Sequence, residues 1–354
     1  SMTRRQPVVL ALALMCAASF VGAQSPPPRS RLVEDTIRAR SLAGNLYGDS
    51  PNRIAVVYLP PSYSSNTARR YPVIYLLHGF DVGPRQWERM TTQTFGIQPA
   101  MDSLIASGVV REMIVVMPDA QTRLGGSFYT NSTAAGNWDD FIAKELVTFI
   151  DGKYRTVARP ESRGLAGHSM GGYGALTIGM RHAGAVFGAV YSMSACCTRM
   201  TREDGLAMQS VWPALAASVA TGVPPAAPLK PLIALAAALS PDTMRPPLFV
   251  DLPFAAVDGH VVVIDSVFNR WIANTPYDML SRYRDELRRL RGLALDVGTR
   301  DQEVLPALVQ MDSALTRAGI AHTFETFDGG HVDHIGVRLT GAVLPFFSRT
   351  LMFP

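Results

Sequence analysis

Arg163-Gly164-Leu165-Ala166-Gly167-His168-Ser169-Met170-Gly171-Gly172-Tyr173-Gly174-Ala175 reads as a short apolar strand, a tight turn carrying a serine, and the start of a helix. That layout is a nucleophile elbow, a strand-to-helix turn that lifts a serine hydroxyl clear of the backbone. Gly167 and Gly171 flank the serine where the chain packs too closely for a Cβ. Ser169 is therefore the expected nucleophile. Such a serine needs an imidazole to take its proton, a carboxylate to orient the imidazole, and N–H donors for the oxyanion that its attack creates.

Outward from the elbow, apolar runs alternate with helical stretches. Upstream lie strand candidates Val73 to Leu77, Met113 to Met117 and Leu165 to Gly167, interleaved with helix candidates Pro99 to Ser107 and Asp139 to Tyr154. Downstream follow helix Tyr173 to His182, strand Ala185 to Ser192, helix Tyr277 to Leu290, strand Leu293 to Val297, helix Glu303 to Ala318 capped by Gly319, and strand His322 to Phe327. Alternation of this kind predicts an α/β fold: a mostly parallel central sheet with helices on both faces. Two N-terminal runs, Leu32 to Leu42 and Arg53 to Leu59, are separated by the turn signals Gly44-Asn45 and Asp49-Ser50-Pro51-Asn52 and predict an antiparallel edge.

Two turns at the ends of the last strands carry the remaining chemistry. Gly298-Thr299-Arg300-Asp301 offers a carboxylate and Asp328-Gly329-Gly330-His331 offers an imidazole, in the chain order Ser, Asp, His that this architecture imposes. His331 is the expected base, and Asp301 is expected to hold its tautomer and stabilise the imidazolium. Asp296 and Asp328 are rival acids, the first expected inside a strand and the second too near His331 along the loop to face it. Leu76-Leu77-His78-Gly79-Phe80 closes the first central strand, so the backbone N–H groups of Phe80 and Met170 are the expected oxyanion donors. His78, His168 and His182 are read as satisfied structural histidines. His331 with His334 would make only half of a metal site, no nearby cysteine or glutamate completes a set, and no cofactor or metal is expected.

The chain has 354 residues, 47% of them hydrophobic, enough for a sizeable core. Met2, Arg4, Arg5, the apolar run Val8 to Val21 and the small residues Val21-Gly22-Ala23 read as a secretory signal cleaved near Ala23, with Ser1 an extra leading residue. Residues 1–23 are thus set apart, and 24–354 form the expected folded domain, secreted or periplasmic. The apolar run is short of the roughly 20 residues a membrane span needs, so no stable membrane insertion of the mature chain is expected. Losing Arg4 and Arg5 lowers the formal charge from +4 to +2, which gives no reason to expect a nucleic-acid partner. Cys196 and Cys197 are neighbours, with Cα atoms about 3.8 Å apart, below the usual disulfide range. Buried free thiols are expected.

Residues 199–275 break the alternation and are rich in Ala, Pro and Leu. They read as an insertion after the nucleophile half, either an apolar lid over the active site or a packed subdomain without substrate contact. The run Leu232 to Leu239, bounded by Pro231 and Pro241, is too short to cross a bilayer.

Val57-Tyr58-Leu59-Pro60-Pro61-Ser62-Tyr63, Tyr75-Leu76-Leu77-His78-Gly79, Ser127-Phe128-Tyr129-Thr130-Asn131-Ser132 with Gly136-Asn137-Trp138, Gly167-His168-Ser169-Met170-Gly171-Gly172 and Gly329-Gly330-His331 together resemble the esterase D type of α/β hydrolase. That group includes feruloyl and acetylxylan esterases, S-formylglutathione hydrolases, enterochelin esterases and mycolyltransferases. The resemblance covers residues 53–195 and 277–350. It implies the α/β-hydrolase fold and ester or thioester hydrolysis through an acyl-serine, with Ser169, Asp301 and His331 at the matching positions. Many members carry a tryptophan shortly after the histidine, whereas Val332, Asp333 and His334 follow here, and 199–275 falls where members vary most. The expected activity is that of a serine carboxylesterase acting on a small-molecule or carbohydrate-linked ester. An acyltransferase using an alcohol or sugar acceptor, and a non-catalytic binding protein on a hydrolase fold, are the alternatives.

Overall fold

The computed structural model describes residues 29–88 and 96–354, so the expected signal segment and its cleavage site lie outside the described residues. An eight-stranded sheet runs through the centre. Its strands are β1 (Arg31–Arg38), β2 (Asn52–Leu59), β3 (Val73–Leu77), β4 (Ile114–Pro118), β5 (Arg163–His168), β6 (Ala189–Met193), β7 (Gly292–Gly298) and β8 (Thr323–Phe327). In space the order is β1-β2-β4-β3-β5-β6-β7-β8. β2 is antiparallel to both its neighbours, β1 and β4, and every pairing from β4 to β8 is parallel. This is the α/β-hydrolase arrangement, with the expected antiparallel edge.

Every residue of β3, β4, β5 and β6 is buried, as strands covered on both faces must be. Side chains alternate between two apolar layers. Val73, Tyr75 and Leu77 enter one cluster with Leu165, Val190 and Leu295, while Ile74 and Leu76 enter the other with Val115, Ala166 and Ala294. Helices α1 (Ile97–Ala106) and α5, which runs on through Ile335–Arg338, Leu339–Val343 and Leu344–Thr350, cover the second layer with Ile97, Met101, Leu339, Val343 and Phe347. The first layer is covered by α2 (Trp138–Asp140, Phe141–Leu146, Val147–Lys153), α3 (Met170–His182) and α4 (Leu305–Arg317). Burying each such aliphatic or aromatic side chain contributes roughly 1.5–3 kcal/mol.

Four features depart from the sequence patterns. The strand expected from Ala185 begins only at Ala189, because the N–H groups of Ala185, Val186 and Phe187 turn back onto the His182 carbonyl at the end of α3. β1 ends at Arg38 rather than Leu42, because Arg40–Leu42 turns into a short helical turn that buries Leu42. The stretch expected as one helix from Tyr277 to Leu290 is two, Pro276–Met279 and Arg284–Leu287, since Tyr283 leaves the helical region at φ −113°, ψ 19° while Met279 and Leu287 keep their buried places. α5 has no counterpart among the sequence patterns: Gly336, Gly341 and Pro345 lower its helical propensity, and packing of Leu339, Val343, Leu344 and Phe347 on the sheet overrides them.

Between β6 and β7, residues 199–275 add no strand to the central sheet. They form helices Arg202–Ala207, Val211–Thr221, Lys230–Leu239 and Asp265–Ile272, with a hairpin of Phe254–Val257 and His260–Val263. Trp212, Phe254, Phe268 and Trp271 stack together there, and Trp271 Nε1 donates to Ser240 Oγ at 2.7 Å. The segment docks on the body through Ser132 Oγ donating to the Ala237 carbonyl at 2.6 Å and Tyr173 Oη to the Asn274 carbonyl at 2.8 Å. Among the described residues no helix is long and apolar enough to cross a membrane.

Candidate active site

β5 ends at His168, and the chain reverses into α3 through Ser169 at φ 58°, ψ −116°. A non-glycine residue pays of order 1–3 kcal/mol for such a backbone and keeps it only where the surroundings enforce it. Here Ser169 N–H donates to the Met193 carbonyl at 3.0 Å, and the Ser169 carbonyl accepts from Tyr173 N–H at 2.9 Å and Cys196 N–H at 3.3 Å. The flanking glycines are required by space. A Cβ on Gly171 would stand 2.2 Å from the Leu77 carbonyl oxygen, and one on Gly167 would stand 2.2 Å from that of Gly171.

The three side chains singled out from the sequence meet in one line. Ser169 Oγ lies 2.8 Å from His331 Nε2, and His331 Nδ1 lies 2.7 Å from Asp301 Oδ2. With Nδ1–H donating to the carboxylate, Nε2 is left to accept the serine proton. Asp301 sits just past β7, where its N–H donates to the Gly298 carbonyl at 3.1 Å and its own carbonyl accepts from Leu305 N–H at 2.9 Å at the start of α4. Its side chain is 3% exposed, against 35% for that of His331. The acid is therefore dry and fixed, and the base faces the solvent side.

The rival carboxylates are elsewhere. Asp296, fully buried within β7, accepts from Arg338 Nε at 2.7 Å and Tyr191 Oη at 3.0 Å; burial raises its pKa, with Arg338 opposing. Asp328 pairs with Arg300 at the surface.

The expected oxyanion donors belong to the elbow itself and to the turn that packs on it. Met170 opens α3, and the first N–H groups of a helix have no acceptor within it. Gly79 packs on the elbow, with a Cβ placed there 3.7 Å from Ser169 Cβ. The Gly79 carbonyl is held at 2.8 Å by His78 Nδ1, while His78 Nε2 accepts from Ala120 N–H at 2.8 Å. Because the C=O and N–H of one trans peptide point opposite ways, this turns the Phe80 N–H away from His78. Burial keeps the His78 ring neutral, with a pKa lowered to about 4.

His78, His168 and His182, read from the sequence as structural, are each hydrogen-bonded, but His168 has a partner that its sequence context did not disclose. His168 Nε2 donates to the backbone carbonyl of His331 at 2.7 Å, and the two rings lie 4.9 Å apart between centroids. His182 pairs with Asp139 at 2.6 Å, far along α3. Cys196 and Cys197 are free, as expected, yet half-buried rather than buried. Among the described residues no three His, Cys, Asp or Glu side chains are grouped to hold a metal ion. The insertion carries a half-open pocket of about 720 Å³ whose lining includes Val219, Leu252, Ile264 and Arg270 and none of Ser169, Asp301 or His331.

Known proteins carry the same fold and sequence features. An esterase of Mycobacterium tuberculosis (strain H37Rv) is 28% identical over 285 residues, covering 78% of this chain and 52% of its own; the chain thus spans about half the length of that relative. A ferulic acid esterase structure superposes with a TM-score of 0.63 at 25% identity, covering 91% of this chain and 99% of its own. An S-formylglutathione hydrolase from Agrobacterium tumefaciens superposes with a TM-score of 0.57 at 15% identity, covering 93% and 99%. Residues 51–334 match the family described as "Putative esterase", a span that runs from β2 past His331 and takes in the elbow, the acid turn and the histidine loop, and the chain belongs to that esterase family of α/β-hydrolase fold.

Proposed function

We propose that this protein is a serine carboxylesterase that cleaves a small-molecule or carbohydrate-linked ester through an acyl-serine. The observation that carries the reading is the unbroken line from Ser169 Oγ through the His331 ring to Asp301. In the proposed reaction His331 Nε2 takes the proton of Ser169 as Oγ attacks the ester carbonyl, and Asp301 stabilises the imidazolium. The N–H groups of Phe80 and Met170 receive the oxyanion. Collapse returns the proton to the leaving alcohol and leaves the acyl-enzyme, which water, deprotonated by His331, hydrolyses to the acid and free serine.

Membership of the esterase family and the likeness to a ferulic acid esterase support ester hydrolysis and make aromatic acyl groups the first to try. Export, with cleavage near Ala23, belongs to the same proposal, and it disfavours S-formylglutathione by separating the enzyme from cytosolic glutathione. Residues 24–354 are proposed to act as one domain in which 199–275 shapes the approach to the site.

The test is a panel of esters varying acyl length, aromaticity and alcohol, run with wild type and Ser169→Ala. Wild type is expected to hydrolyse at least one class and to be labelled on Ser169 by a fluorophosphonate, and Ser169→Ala is expected to fold and do neither. Turnover by Ser169→Ala near the wild-type rate would end the proposal. Transfer of the acyl group to an added alcohol or sugar in preference to water would replace hydrolase by acyltransferase.

A further inference from the structure

We propose that His168 is a positioning residue for the reaction: it ties the backbone of the base to the strand that carries the nucleophile. The inference rests on the reading of Ser169 and His331 given above.

His331 is held at three points. Its Nδ1 meets Asp301 Oδ2, its Nε2 meets Ser169 Oγ, and its backbone carbonyl accepts from His168 Nε2 at 2.7 Å. Two of these ties come from consecutive residues, so hydroxyl and base are referenced to the same strand end. The need is visible in the loop. His331 follows Gly329 and Gly330, and its side chain is 35% exposed, against 3% for that of Asp301. Gly330 N–H is tied only within the loop, to Asp333 Oδ1 at 2.7 Å. His168, by contrast, is buried at the end of an all-buried strand, with Gly79 packed against its ring. A bond from that ring to the carbonyl of residue 331 gives the loop a fixed reference, and a shift of about 1 Å in a reacting group costs on the order of 10²-fold in rate.

The chemistry of the residue suits the task. Burial, with the neighbouring His331 as a smaller cause, lowers the pKa of His168 to about 3. The ring therefore donates from Nε2 as a neutral group and places no second positive charge beside the imidazolium that forms on His331. A lysine or arginine reaching the same carbonyl would oppose that charge.

The experiment compares His168→Gln, whose amide nitrogen takes the place of Nε2, with His168→Asn, which is too short to reach, and His168→Leu, which has no donor. Steady-state kinetics, fluorophosphonate labelling of Ser169 and thermal unfolding are measured on each. The expected result is kcat within about threefold of wild type for Gln, and a loss of roughly 10- to 100-fold for Asn and Leu with KM unchanged and labelling slowed in step. Equal kcat for Gln and Asn, or a folded Leu variant with wild-type kcat, would overturn the inference. Should Leu fail to fold, the Gln and Asn pair decides alone. Failure of the parent reading is separate, since it shows as turnover by Ser169→Ala.

Discussion

Asp301 Oδ2 stands 2.7 Å from His331 Nδ1 although thirty positions separate the two residues along the chain. The contact exists because β7 and β8 are parallel neighbours, so the turns that follow them emerge at the same end of the sheet. Each residue lies only a few positions past its strand.

This relationship predicts a ranking among three acids. Asp301→Asn is expected to lower kcat by up to about 10⁴-fold, because the amide favours the wrong imidazole tautomer. Asp328→Asn removes one exposed ion pair and is expected to leave kcat within about twofold. Asp296→Asn is expected to lower stability, because Arg338 loses a buried partner, while kcat per folded molecule changes far less than in Asp301→Asn. Steady-state rates and urea midpoints on the three variants check the order, and equal rate losses would refute it.

Gly171→Ala adds one methyl group against the Leu77 carbonyl. Backbone on both sides leaves no flexible atom to yield, so the elbow must open. A stability loss of about 1–3 kcal/mol or more is expected, together with a fall in kcat, read by urea unfolding and by fluorophosphonate labelling of Ser169. A variant with wild-type midpoint and rate would show that the turn is looser than described.

Buried neutral histidines make the fold sensitive to acid. His78 and His168 have folded-state pKa values lowered to about 4 and about 3, against about 6.5 when unfolded. Between those limits the unfolded chain binds more protons than the native one, so stability present above pH 6.5 is lost as pH falls. Each group contributes a slope of about 1.4 kcal/mol per pH unit while it differs between the states. Urea unfolding from pH 7.5 down to 4.5 is expected to show the decline, and His168→Gln to make it shallower by about one histidine's slope. An unchanged slope in that variant would mean that His168 protonates in the folded protein.

Trp271 is fully buried in the insertion, and its cluster is continuous with residues of the body such as Met279 and Leu308. Trp271→Ala is expected to cost about 3–5 kcal/mol and to shift one cooperative transition. Two separate transitions by fluorescence and activity would show instead that 199–275 unfolds on its own.

Much of this protein is legible from its sequence. Apolar runs set the places of β3 to β8 within a few residues, and the glycines around Ser169 and before His331 mark the turns where chemistry sits. These are local properties, period and steric room, which a chain carries along its length. Position along the chain already favours Asp301 over Asp296, inside a strand, and Asp328, close to His331 on its loop. Only the tertiary structure decides which way each carboxylate is aimed and that Arg338 and Arg300 hold the two rivals. It likewise breaks the helix around Tyr283, builds α5 against poor propensity, and turns His168 from one buried histidine among several into a donor to the base. Those outcomes depend on pairings across the sheet between residues remote in sequence, and no local pattern records the partner.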